Sequence, residues 1–170
     1  MQFTGKLLAM LFVAVIIGTA SAAEPEFVMN NAKVVPLSQF LEEKPLDKDA
    51  ALVRKVLLNW EDKSKDVVDV VCPGVLSPVP SKSVPYSPEL AAQFVLGSAA
   101  YQIANPAEKG KLIPQQLAGM KSMLKAYRSI VAEKPAAHVP RLDELAQKDL
   151  EGSLSQVLEP LVAAECKSSK

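Results

Sequence analysis

One histidine, His138, stands between Ala137 and Val139, and any mechanism that needs an imidazole would have to run through it. A nucleophile beside such a base also needs backbone N–H groups turned toward the developing oxyanion. The chain contains no Gly-x-Ser-x-Gly turn and no glycine-rich loop after a strand pattern. His138 therefore reads as a surface loop residue, and a hydrolytic enzyme using it with carboxylates ranks last among the functions weighed. Asp62, Asp66 and Asp69 fall at helical spacing and could face a cation or a basic partner, but Lys63 and Lys65 interleave with them. Mixed charge of this kind marks a solvated face, and the central Gly and terminal Glu of a calcium loop are missing. No metal and no cofactor is expected.

The two cysteines, Cys72 and Cys166, are the other reactive pair. Neither belongs to a Cys-x-x-Cys motif, and one histidine is too few for an ordinary zinc set. In an oxidising compartment an isolated pair reads as one intramolecular disulfide. It would close a loop of about 94 residues, for which chain entropy assigns about 4–5 kcal/mol.

An exported chain is the expectation from the N-terminus. Lys6 precedes an unbroken apolar run, Leu7 to Ile17, and Ala20-Ser21-Ala22-Ala23 offers small residues for a peptidase. Residues 1–23 read as a cleavable signal peptide, because the run is shorter than the roughly 20 residues of a spanning helix. No later run is apolar enough to cross a membrane, so no span is expected after the leader is removed. Periplasmic or extracellular placement follows. Asn30, Asn31, Asn59 and Asn105 all lack the glycosylation pattern. With 19 basic and 19 acidic residues the chain is near neutral. A neutral chain is poorly suited to release counterions from a phosphate backbone, which argues against nucleic acid.

The elements that must position these groups are helical. Residues 24–35 read as an extended lead-in, and 36–44 as a short helix stopped by Pro45. Val53, Val56, Leu57, Trp60, Val67, Val68 and Val71 keep helical spacing up to Cys72-Pro73-Gly74, which predicts one long helix despite the strand propensity of the valines. Residues 73–88 hold Pro73, Pro78, Pro80, Pro85 and Pro88 and read as a long non-helical connection crossing the bundle. Ser87-Pro88-Glu89 is a strong helix start. The helix to Ala104 carries no charge after Glu89 and should be the buried centre of the domain. Pro114 opens the next helix, with Leu117, Met120, Leu124, Tyr127 and Val131 on its seam. Pro140 opens the last one, which Gly152 and Pro160 should bend or weaken. Residues 167–170 read as a mobile tail. The expectation is a single all-α domain over 36–166: a bundle of about four main helices plus a short N-terminal helix, closed by the disulfide.

Leu96-Gly97, Tyr101, Ala126-Tyr127 and Pro135 faintly resemble one tetratricopeptide hairpin. Tyr101 is out of register and no second copy follows, so the resemblance implies no function, since a lone repeat cannot bury its faces. Function rests instead on presented groups. Tyr86 is the aromatic residue of the proline-rich connection. Lys121, Lys125 and Arg128 form a basic stripe on the helix after Pro114. These four are the candidate contacts for a protein partner, in an exported, non-enzymatic role of inhibitor or immunity type. The alternative is a carrier of an apolar small molecule, its interior lined by Met120, Met123 and Tyr127. The mature chain is expected to begin at Ala23 or Glu24. N-terminal sequencing of the protein from its own source checks this, and a chain still starting at Met1 would show the leader to be retained.

Overall fold

The computed structural model describes residues 28–166. The expected signal peptide, the first part of the lead-in and the tail at 167–170 lie outside the described residues. Within them the chain is all-α, with no strand: α1 (Asn31–Glu43), α2 (Ala50–Glu61), α3 (Pro73–Leu76), α4 (Ser87–Ala104), α5 (Leu112–Glu133), α6 (Pro140–Leu150) and α7 (Leu154–Glu165). Short 3-10 turns at 106–108 and 135–137 lead into α5 and α6.

Helix α4, uncharged after Glu89, and the longer α5 form the central pair. Gln93 bonds Ser122, while Gly97, further along α4, faces Ala118, earlier on α5, so the two run antiparallel. The apolar α4 buries Leu90, Phe94, Leu96 and Ala99, as a helix without a charged face must. Helices α6 and α7 cover α5 on one side, and α1 crosses α4 and α5 on the other with α2 behind it. Leu142, Leu145, Leu154, Leu158 and Val162 join Phe94, Met120, Met123 and Leu124 in the main core. A smaller cluster gathers Val34, Leu41, Ala50 and Leu57 around Leu96. Trp60, expected in the core, packs at the edge of this second cluster and remains partly exposed.

The central pair comes together through glycine. A Cβ on Gly97 would stand 2.1 Å from the Ser122 Cβ, and one on Gly119 would stand 2.7 Å from the Phe94 carbonyl oxygen. Glycine on each helix therefore permits the close approach of α4 and α5.

Several boundaries differ from the expectation. The lead-in is not extended to residue 35, because α1 starts at Asn31 and runs through Pro36. Val34, Ser38 and Leu41 are buried on one stripe, and that packing outweighs the hydrogen bond that proline forgoes. The long second helix stops at Glu61, and residues 66–72 are not helical. Val68 and Val71, which a helical seam would bury, are each 39 % exposed. The proline-rich connection holds one helical turn, α3, whose Pro73 sits where an N–H has no partner to lose. Helix α5 begins at Leu112, which leaves Pro114 harmlessly in the first turn. The last helix is two: Gly152 turns the chain between α6 and α7 with φ 73°. Helices α4 and α7 match the expected ends, and Cys166 lies just past Glu165.

Cys72 and Cys166 form the expected disulfide, with Cα atoms 5.3 Å apart. It ties the start of α3 to the end of α7 and fits an oxidising compartment. Among the described residues no helix is long and apolar enough to cross a membrane.

Gly97→Ala is expected to cost about 2–3 kcal/mol, because the new methyl meets a buried neighbour across the central pair. Gly152→Ala, with nothing within 4 Å of the added carbon, is expected to cost only about 1 kcal/mol through its backbone conformation. Urea unfolding of both variants checks the order. The reverse order would mean that the approach of α4 to α5 does not limit stability.

Candidate functional site

The proline-rich connection is anchored rather than looped free. Val75, Leu76, Val79 and Val84 are buried in the main core. The Ser81 N–H donates to Ser87 Oγ at 2.8 Å, closing the segment onto the start of α4. The peptide bonds Ser77–Pro78 and Val79–Pro80 are cis. Between these anchors Pro80, Ser81, Lys82, Val84, Tyr86, Ser87, Pro88 and Glu89 line an open groove of about 630 Å³. Pro80, Val84, Pro88 and the Tyr86 ring give it a largely apolar surface, interrupted by Ser81, Ser87, one cation, Lys82, and one carboxylate, Glu89.

Tyr86 is the one non-glycine residue with positive φ among the described residues, at φ 56° and ψ 27°. That left-handed conformation crowds a Cβ against the backbone and is uncommon for a bulky residue. It persists because both flanks are fixed: Val84 is buried behind it, and its carbonyl accepts the Leu90 N–H at 3.0 Å to start α4. The expected N-cap Ser87 is thus the first helical residue, and Tyr86 takes the capping position without a side-chain bond.

The basic stripe is dispersed by partners within the chain. Lys125 pairs with Glu42 of α1 at 3.0 Å, and Arg128 pairs with Asp149 of α6 at 3.0 Å. Lys121 is exposed and has no ion pair among the described residues. Lys121 and Lys125 line a groove between α1 and α5, away from the one that holds Tyr86. The four candidate contacts do not converge.

His138 does meet a carboxylate. Its Nδ1 lies 2.9 Å from Asp143 Oδ1, and the same oxygen accepts from the Tyr127 hydroxyl at 2.6 Å. The hydroxyl also accepts the Val139 N–H at 2.8 Å. Desolvation, then the hydrogen bond to Asp143, pushes Tyr127 up to about 12. For Asp143 desolvation, the largest single influence, pushes upward, but the bonds from Tyr127 and His138 outweigh it and hold the carboxyl below its ordinary value. No serine or cysteine joins these three in their hydrogen bonds. They pin the turn before α6. Met120, Met123 and Tyr127 are packed in the main core with Leu124 and Ile130. Among the described residues no cluster of three or more His, Cys, Asp or Glu side chains could hold a metal.

The polar groups that sequence reasoning passed over are amides. Gln93 donates to Ser122 Oγ at 2.8 Å and to the Ser38 carbonyl at 3.2 Å. The Ser122 hydroxyl donates in turn to Glu42 Oε1 at 2.6 Å. Gln102 and Gln116 reach the backbone of the segment after α2. The signal was present, since Gln93 and Gln102 interrupt a helix that is otherwise apolar.

Compared with known proteins, the chain matches no protein-family model, no curated protein and no solved structure.

The Asp143 carboxylate contributes stability that is fully present above its ordinary value near 3.8 and is lost as the pH falls through its depressed folded value. Asp143→Asn is therefore expected to be less stable than the parent at pH 6. The gap should narrow only below about pH 4. Paired thermal melts across that range test it, and a gap independent of pH would remove the charge from the account.

Proposed function

We propose that the chain is an exported, non-enzymatic domain that binds a protein partner, in the manner of a small inhibitor or immunity protein, with Tyr86 at the centre of the contact. The observation that carries this reading is the backbone of Tyr86. An aromatic residue held in the left-handed region costs about 1–2 kcal/mol that glycine would not. Such strain persists where the side chain does something the fold alone does not require. Here the ring, packed in part against the main core, stands at an open, largely apolar groove on a segment anchored at both ends, so little further ordering is needed on binding. Tyrosine is also among the residue types that dominate interface energetics. The disulfide and the leader-like N-terminus support an oxidising, exported setting. Of the basic stripe, only Lys121 keeps its charge unpaired, so the contact is assigned to the Tyr86 groove first.

Tyr86→Gly separates the two demands. It is expected to shift stability by no more than about 1 kcal/mol, because relief of the left-handed backbone offsets the lost packing of the ring against the main core, while weakening partner binding at least tenfold. Native mass spectrometry of the mature protein from its own compartment, parent against variant, reads the binding. A second polypeptide held by the parent and lost from Tyr86→Gly supports the proposal. A partner held equally by both sinks the assignment of Tyr86. A bound mass of a few hundred daltons in place of a polypeptide would replace this reading with the small-molecule carrier.

A further inference from the structure

Between α2 and α3 the chain runs through Val67-Val68-Asp69-Val70-Val71, a sequence whose branched side chains favour extended backbone. It lies against α4 and α5 and is held there by side-chain amides. The Val68 N–H donates to Gln102 Oε1 at 3.0 Å, and Gln102 Nε2 donates to the Val68 carbonyl at 3.1 Å. One carboxamide can bind the N–H and the C=O of a single residue only if both point the same way, as they do in a β-strand. Gln116 Nε2 then donates to the Val70 carbonyl on the same side. Gln102 and Gln116 thus stand where the backbone of a neighbouring strand would stand.

In extended chain, residues two apart turn their backbone groups to one side and the intervening residues turn theirs to the other. If Val68 and Val70 face the protein, Asp69 and Val71 face outward. Both are exposed, and neither backbone N–H or C=O has a partner among the described residues. The protein presents one side of a strand bonded at three of its four groups, the Val70 N–H being the exception among the described residues, and the other side open, which is the arrangement that accepts an added strand.

Charge selects the occupant. The backbone of Asp69 faces the open side; its carboxyl, its pKa raised by partial burial, lies near enough to that of Glu61 at the end of α2 to act on it. Burial first, and then the fields of Asp69 and Asp62, raise the Glu61 carboxyl above its ordinary value. Asp69 has no ion pair among the described residues. A second copy pairing antiparallel about this segment would set Asp69 opposite Asp69, and like charges directly opposite destabilise a pair.

We propose that residues 67–71 are a strand-addition site that takes an extended segment of another polypeptide, pairing with the backbone of Asp69 and Val71 and carrying a lysine or arginine opposite Asp69. The site is separate from the Tyr86 groove and stands or falls independently of it.

A blocked peptide of alternating valine and lysine, about eight residues long, is a suitable probe. Amide hydrogen exchange of the mature protein by NMR gives the readout. On saturation with peptide the amides of Asp69 and Val71 are expected to slow at least tenfold. That of Val68, already bonded to Gln102, should change little. N-methylation of the peptide's pairing amides should abolish the effect. Asp69→Lys should weaken the peptide about fivefold, the scale of one reversed cross-strand pair. A peptide with glutamate in place of lysine should restore binding to that variant, which shows that it is folded. The proposal is overturned if the peptide slows neither amide, or if the N-methylated peptide does so equally well. Slowing without peptide that grows with protein concentration would also overturn it, by making a second copy the occupant.

Discussion

The closeness of α4 to α5 is the constraint on which the other contacts depend. Gly97 lies against Ser122 and Gly119 against the backbone of Phe94, with no room for a methyl group at either place. At that separation the side chains of α4 reach beyond α5 to the helices around it. Phe94 enters the core shared with α6 and α7, while Leu96 enters the cluster under α1 and α2. One helix thus serves two cores. It can do so because it carries no charge that must be kept wet after Glu89, and because small residues keep its girth low where α5 crosses. Interiors are close-packed, so a wider α4 would move both layers and not one.

Apolar packing alone would leave such a helix free to slide or rotate, and the buried amides remove that freedom. Gln93 ties α4 at once to Ser38 of α1 and Ser122 of α5. Gln102 ties it to the backbone at Val68 and Gly110. A buried amide that loses its partner is costly, whereas a made bond contributes only about 1 kcal/mol. These residues therefore act more on which arrangement forms than on how stable it is. Glu42 extends the first network to solvent, with Ser122 on one oxygen and Lys125 on the other.

What could be read in advance follows from where local pattern and tertiary demand agree. Helix α4 was legible from its Ser87-Pro88-Glu89 start and the uncharged run that follows, and α5 from its apolar seam. The disulfide was legible because two cysteines leave one pairing. The stretch after Glu61 was not, because its valines satisfy helical spacing and strand propensity together. The decision lies with Gln102 and Gln116, far away in sequence, whose amides compete for its backbone. Pro36 misled in the opposite sense, since one missing N–H weighs less than burying Val34 and Leu41. The candidate site was half legible. Prolines marked the segment around Tyr86, but its left-handed backbone is set by anchors on either side that no local signal reveals. The lysines and Arg128 were correctly placed on one helix face. Their partners Glu42 and Asp149 come from helices whose packing the stripe itself does not encode.

The bond between Cys72 and Cys166 encloses α3 to α7 in a covalent ring and leaves α1 and α2 outside it. Cross-linking restricts the unfolded ensemble of the enclosed chain only. The N-terminal helix pair is held by the cluster at Leu96 and by the bonds of Ser38 and Glu42, with no share in the ring. The two stretches of chain are therefore constrained unequally when unfolded. Were the outer pair to open alone, the ring would stay shut and the flank of α4 that carries Gln93 and Leu96 would be uncovered. An oxidised chain would in this way be locally open at one end and locked at the other. Reduction would erase the distinction by returning both stretches to a single unbranched chain.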